Sequence, residues 1–77
     1  MTVEQLQGKQ VVWERTDPPG PDWETKGFGS FNYAYFGQRM RIEGDYGVIS
    51  SEVKLIEDIE GGIKVTTQNS VYIVKST

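Results

Sequence analysis

The stretch IKVTTQNSVYIVK, which runs from Ile63 to Lys75, decides the fold of this sequence. Apolar and polar residues alternate on both sides of a short polar centre, and a period of two is typical of β-strands with one buried face. The pattern therefore predicts a C-terminal β-hairpin. Its inward face consists of four apolar side chains: Ile63, Val65, Tyr72 and Val74.

The register of this hairpin follows from its turn. If Asn69-Ser70 forms a two-residue turn, Thr67 lies opposite Tyr72 and Val65 lies opposite Val74. Asparagine suits such a turn because it tolerates the left-handed backbone conformation. A slip by one residue would direct the apolar face to solvent, so we expect the register to be strongly specified.

A second hairpin is predicted upstream, around a Gly37-Gln38 turn with glycine at the position that a type II′ turn requires. This turn sets Tyr35 opposite Met40 and Tyr33 opposite Ile42. The face predicted to be buried consists of Phe31, Tyr33, Tyr35, Met40 and Ile42. The face predicted to be exposed consists of Asn32, Ala34, Phe36, Arg39, Arg41 and Glu43.

The segment between the two hairpins predicts a turn over 44–47, a short extended piece at Val48-Ile49 and a strand over 53–59. The residues predicted to share one face of that strand are Val53, Leu55 and Ile59. A three-residue loop, Glu60-Gly61-Gly62, would then set Ile59 against Ile63 and supply the glycine of a bulged hairpin.

The N-terminal part of the chain predicts one helical turn, one strand and one long loop. The helical turn covers residues 2–8, is capped by Thr2 and Gln5, and closes a barrel mouth. Lys9–Arg15 predicts the first strand. Residues 16–30, which hold all three prolines, predict a long Pro/Gly-rich loop.

Five or six short strands joined mainly by tight turns predict one all-β domain over residues 1–77. We expect a small, mainly antiparallel barrel, SH3-like or OB-like, with a short N-terminal helical turn. Closure into a barrel would also hide strand edges that this chain has little other means to protect.

The composition argues against catalysis. The chain has no cysteine and no histidine, so it lacks disulfides, thiolate sites and the side chain that most often transfers protons near neutral pH. The carboxylates Glu57, Asp58 and Glu60 match no calcium loop. We therefore predict a protein that is not an enzyme and that carries no cofactor and no metal.

The charge and the hydropathy of the chain argue against several classes of partner. Eight basic and eleven acidic residues give a net charge of −3, which provides no basic footprint for duplex nucleic acid or for anionic lipid. No apolar run approaches the length of a membrane span or of a signal-peptide core. These features predict a cytoplasmic protein.

Two short stretches resemble known proteins. Lys26-Gly27-Phe28-Gly29-Ser30-Phe31 resembles the K-G-F-G-F core of cold-shock domains, in which exposed aromatic rings stack on bases. The resemblance implies an OB-like or cold-shock-like binder of single-stranded nucleic acid that acts through Phe28. The run over 63–72 resembles the endings of small bacterial, phage and mobile-element proteins and implies such an origin.

The leading functional prediction is a binding module for a protein partner. Aromatic and arginine side chains are enriched in protein interfaces, and the sequence predicts such a patch from Trp23, Phe28, Phe36, Arg39 and Arg41. Binding of single-stranded nucleic acid is the alternative. A third hypothesis is a structural subunit that oligomerises through an open strand edge.

Overall fold

Six antiparallel strands run around a closed barrel in the order in which they occur along the chain. The structure is a computed structural model that describes residues 1–77. Its strands are β1 (Gln10–Asp17), β2 (Lys26–Tyr33), β3 (Arg39–Glu43), β4 (Val48–Ile59), β5 (Gly62–Thr67) and β6 (Val71–Ser76). Two single-turn helices are α1 (Val3–Leu6) and α2 (Asp22–Thr25). The predicted all-β barrel is confirmed.

Every strand has a hydrogen-bonded neighbour on both sides, because β6 pairs with β1 and closes the barrel. No strand lies at the end of the sheet, but the pairing of β4 with β3 ends at Glu52, so residues 54–58 of β4 have no strand neighbour on that side. The hypothesis that copies associate through an open strand edge stays a prediction. Each strand also lies next to the one that follows it in sequence, so the topology is an up-and-down meander. An OB-fold, in contrast, is a Greek-key barrel.

The barrel interior is filled by apolar side chains that alternate with outward-facing residues along each strand. Phe31 is the largest of the fully buried side chains. The helical turn α1 adds Leu6 to this core and has the predicted capping box between Thr2 and Gln5. The C-terminal hairpin contributes the predicted inward face, all four members of which are buried: Ile63, Val65, Tyr72 and Val74.

The register of that hairpin differs from the prediction by two residues. Val65 lies opposite Tyr72, and Ile63 lies opposite Val74. An even shift leaves every side chain on its predicted face, since successive residues of a strand point to opposite sides. The predicted left-handed Asn69 is wrong, because no residue other than glycine has a positive φ.

The hydroxyl of Thr67 explains the observed turn between β5 and β6. Thr67 Oγ1 donates to the carbonyl of Ser70 at 3.0 Å and accepts from the Ser70 N–H at 3.1 Å. It also accepts a hydrogen bond from Ser51 Oγ at 2.8 Å. A side chain thus completes the turn, and the pairing of the two strands begins at Thr66 and Val71.

Thr67→Val should lower the free energy of unfolding by about 1–2 kcal/mol, the usual cost of leaving buried polar groups without partners. Thr67 is buried, and the substitution keeps its shape while removing the hydroxyl. Urea denaturation followed by circular dichroism measures the change. Thr66→Val is the matched control, because that half-buried side chain makes no hydrogen bond. Equal losses for the two variants would contradict the role of the Thr67 hydroxyl.

The β2–β3 pairing corrects both the second predicted hairpin and the predicted loop over 16–30. Residues 26–33 form a strand, so the irregular segment ends eight residues after Asp17. Phe31 lies opposite Ile42, and the register then shifts so that Tyr33 lies opposite Arg41. Beyond this irregularity Ala34 is buried and Tyr35 is half exposed, the reverse of the prediction. A bulge of this kind reverses the alternation of faces, and alternation alone does not reveal it.

The β4–β5 hairpin also departs from the prediction. Val48-Ile49 and the predicted strand over 53–59 belong to one continuous strand of 12 residues. A register shift between Val53 and Leu55 directs Leu55 to solvent, and Ile56 packs against the core in its place. Ile59 lies opposite Gly62, so the turn is the two-residue Glu60-Gly61, with Gly61 at φ +76°.

Candidate functional site

An apolar groove crosses the outer face of β2, β1 and β6. It has a volume of about 560 Å³, within the range of pockets that hold ligands or partner side chains. We call it the outer groove. Its lining consists of Val12, Trp13, Glu14, Lys26, Gly27, Phe28, Tyr46, Ile73 and Lys75.

Strand register arranges the floor of the outer groove in two rows. In the first row Phe28 lies opposite Val12, and Val12 lies opposite Lys75. In the second row Lys26 lies opposite Glu14, and Glu14 lies opposite Ile73. The rows are two residues apart on each strand, so all six side chains point outward. The apolar members Phe28, Val12 and Ile73 therefore run diagonally across the three strands.

Tyr46 forms the wall of the outer groove beside Phe28. The two rings lie 5.1 Å apart at an angle of 34°. The carbonyl oxygen of Tyr46 accepts hydrogen bonds from Trp13 Nε1 at 2.8 Å and from the Phe28 N–H at 3.1 Å. These two bonds fix the β3–β4 turn against β1 and β2. The aromatic wall is thus held in position by the barrel and does not depend on a ligand.

Of the two lysines that line the outer groove, one lies close to carboxylates and the other does not. Lys26 Nζ lies 3.8 Å from Glu14 Oε2 and 3.7 Å from Asp22 Oδ1. Both contacts are exposed, so each contributes at most about 1 kcal/mol to stability. Lys75, at the other side of the groove, forms no ion pair. One positive charge of the lining is therefore uncompensated.

The structure separates the five residues that the sequence predicted as a partner patch. Phe28 lies in the outer groove, where its side chain is 49% exposed. Trp23 lies on α2, is 81% exposed, and does not line the groove. Phe36 and Arg39 flank the β2–β3 turn, and Arg41 is paired with Glu43 at 3.0 Å. Phe28 is therefore the one residue of the predicted patch that lines the outer groove.

The separation between Phe28 and Arg41 follows from the length of β2. Phe28 lies near the start of this strand, and Tyr33, which pairs with Arg41, lies at its end. Five residues of a strand span about 16 Å. The arginine side of the predicted patch is therefore at the opposite end of β2 from the outer groove.

Phe28 is the only lining residue of the outer groove that the sequence predicted as a binding residue. Val12 and Ile73 alternate with buried neighbours on strands that were predicted, so their outward direction could have been inferred. Tyr46 carried no such signal, because its position depends on how the β3–β4 turn folds over β2. Only the three-dimensional structure brings it to Phe28.

A second exposed group of side chains lies on β2, β3 and β4. Tyr33, Arg41 and Ile49 form a row across these three strands. The ring of Tyr35 stacks on that of Tyr33 at 5.6 Å, with an angle of 13° between them. Arg41 is already paired with Glu43, so this row offers no free charge to a partner.

The structure contains no group of three or more carboxylates placed to hold a metal ion. Neither helix is long and apolar enough to cross a membrane. The fold and the site together define a small up-and-down β-barrel with one apolar groove on its outer face. In comparisons with known proteins, no family model matches the chain, and no curated protein or solved structure is significantly similar to it.

Proposed function

We propose that this protein is a non-enzymatic binding module that contacts a protein partner through the outer groove. The observation that carries the proposal is the apolar surface formed by the exposed Val12 and Phe28 and the half-buried Ile73, beside the exposed Tyr46. These side chains lie outside a barrel whose interior is already filled, so the core does not need them. Apolar and aromatic side chains in a preformed concave surface are typical of binding sites.

The closed barrel restricts how a partner binds. A partner chain that adds a strand to a sheet needs an unpaired strand edge, and beneath the outer groove β1 is paired with β2 on one side and with β6 on the other. Recognition in this proposal therefore uses side chains that enter the outer groove. A bacterial or phage origin and a cytoplasmic location stay predictions from the sequence.

The nucleic-acid alternative has less support. The exposed pair of Phe28 and Tyr46 could stack on a base, as the resemblance of 26–31 to cold-shock domains implies. However, Lys26 of that motif lies close to two carboxylates, and the strand order is not that of an OB-fold. The chain is also acidic overall, with a net charge of −3.

Phe28→Ser should weaken binding of peptides selected by the wild-type protein by about ten-fold or more, the loss expected for an anchoring aromatic side chain. The peptides come from a phage-displayed random library selected on the immobilised protein, and their affinities are measured with soluble protein. Phe28 is half exposed, so we expect the variant to fold, and circular dichroism checks this.

Ile49→Ser is the matched control for Phe28→Ser. Ile49 is 56% exposed and lies on β4, outside the outer groove, so its variant should bind the selected peptides as the wild type does. If no selected peptide depends on Phe28, or if Ile49→Ser weakens binding equally, the outer groove is not the binding site.

A further inference from the structure

Lys75 is the residue of the outer groove whose charge has no partner. Its side chain is exposed, and no carboxylate oxygen lies within 4.0 Å of its ammonium group. Glu14, the only acidic residue of the lining, is already next to Lys26. An occupant with a negative charge near Lys75 would therefore gain an ion pair without breaking one.

Lys64 adds a second positive charge on the same side. It lies opposite Ile73 on the neighbouring strand β5 and is half buried. Glu57 lies opposite Lys64 on β4, yet the two side chains form no ion pair. Ile73 thus has Lys64 across the strand and Lys75 two residues further along its own strand. The β6 side of the groove is basic in a protein that is acidic overall.

The spacing between the aromatic wall and Lys75 defines the length of chain that could contact both. Phe28 and Lys75 lie in one row with β1 between them. Neighbouring strands are about 4.8 Å apart, so the two backbones are separated by about 10 Å. Extended chain advances about 3.3 Å per residue. Two residues that reach both points are therefore about two positions apart in sequence, because side chains i and i+2 of an extended chain point to the same side and the lysine side chain spans the remaining distance.

We propose that the outer groove selects a peptide segment with a bulky apolar side chain and, two residues away, an aspartate or glutamate. The apolar side chain contacts Phe28, Val12 and Tyr46, and the carboxylate contacts Lys75. This inference rests on the proposed protein-binding function and adds the chemistry of the partner segment. Other acidic or aromatic ligands, single-stranded nucleic acid among them, are outcomes of the test.

Three synthetic peptides test this selectivity. Each is an acetylated and amidated glycine–serine octapeptide with one phenylalanine, and the residue two positions after it is aspartate, asparagine or lysine. Binding is measured at low salt from the shifts of the amide resonances of Val12, Phe28 and Lys75 in the 15N-labelled protein. We expect the aspartate peptide to bind about two- to five-fold more tightly than the asparagine peptide, as an exposed ion pair allows, and the lysine peptide to bind most weakly.

Two lysine variants locate the effect. Lys75→Gln should remove the preference for aspartate over asparagine, whereas Lys54→Gln should leave it unchanged. Lys54 is an exposed lysine on β4 outside the outer groove, where it is paired with Glu52. High salt should also reduce the preference, since exposed charges are screened.

Each outcome separates this inference from the proposed function. If the aspartate and asparagine peptides bind equally and Phe28→Ser weakens both, the acidic preference is wrong and protein binding through the groove stands. If neither peptide shifts the groove resonances, the selectivity is wrong, and the phage selection decides the protein-binding role by itself. If oligothymidylate shifts these resonances and the peptides do not, the occupant is single-stranded nucleic acid and the inference is overturned.

Discussion

Phe31→Ala should lower the free energy of unfolding by about 3–5 kcal/mol, the range found when a buried phenylalanine is truncated and leaves a cavity. Phe31 is the largest of the fully buried side chains. Stabilities of about 0.05–0.15 kcal/mol per residue give this chain of 77 residues only about 4–12 kcal/mol. The variant should therefore lose between about a quarter and all of its stability.

Phe36→Ala is the control for this experiment, because it removes the same atoms from a side chain that is 76% exposed. A substitution at such a surface position should change the free energy of unfolding by about 0.5 kcal/mol or less. Urea denaturation of the two variants, followed by tryptophan fluorescence and circular dichroism, gives the comparison. Similar losses for both variants would show that Phe31 does not fill the core.

The core was largely predictable where strands are regular and poorly predictable where they bulge. In the C-terminal hairpin an error of two residues in register left all four apolar side chains on the correct face. In β2 one irregularity after Phe31 changed the side to which the following residues point. The sequence predicted a buried Tyr35 and an exposed Ala34, and the structure has the opposite. A local insertion of one residue carries no clear sequence signal, yet it reverses the faces beyond it.

The candidate site was predictable to a smaller extent. Phe28 was recognised because the motif around it resembles an exposed aromatic motif of known domains, and it does lie on the surface. Phe36, Arg39 and Arg41 were selected because they share the predicted outer face of one hairpin, and Trp23 because it lies in the predicted loop, and neither ground says that the loop and that face are neighbours. The outer groove depends on pairing between β1, β2 and β6, residues far apart in sequence. Local sequence patterns give little information about pairing between strands that are far apart in the chain.

Closure of the barrel, which builds the outer groove, also pairs the strands that carry its exposed apolar side chains. Phe28 and Val12 are exposed, yet beneath them β1 is hydrogen-bonded to β2 on one side and to β6 on the other. Strands with free edges and apolar side chains are prone to associate with other chains. Because no strand edge is open at this position, the protein can present these apolar side chains to a partner with less risk of non-specific strand pairing there.

Gly62→Ala should destabilise the barrel by about 3 kcal/mol, at the upper end of the cost of overpacking. A β-carbon at this position would overlap the carbonyl oxygen of Val74 on β6 and approach the backbone of Lys75. Because the obstacle is backbone, no side-chain rotation relieves it, and β5 would have to move away from β6. The change in the urea midpoint, with circular dichroism as a check on the fold, measures this cost.

The neighbouring Gly61→Ala separates the two roles of glycine in this turn. Gly61 has φ +76° and no atom within 4 Å of an added β-carbon, so its cost is the left-handed conformation alone, about 1–2 kcal/mol. At Gly62 an added β-carbon would overlap the backbone of β6, but φ is not positive. The observed register, with Glu60-Gly61 as the turn, thus requires Gly62→Ala to be the more harmful substitution. If Gly61→Ala proved the worse of the two, the strand pairing would have to differ, because Gly62 would then belong to the turn and would no longer lie against β6.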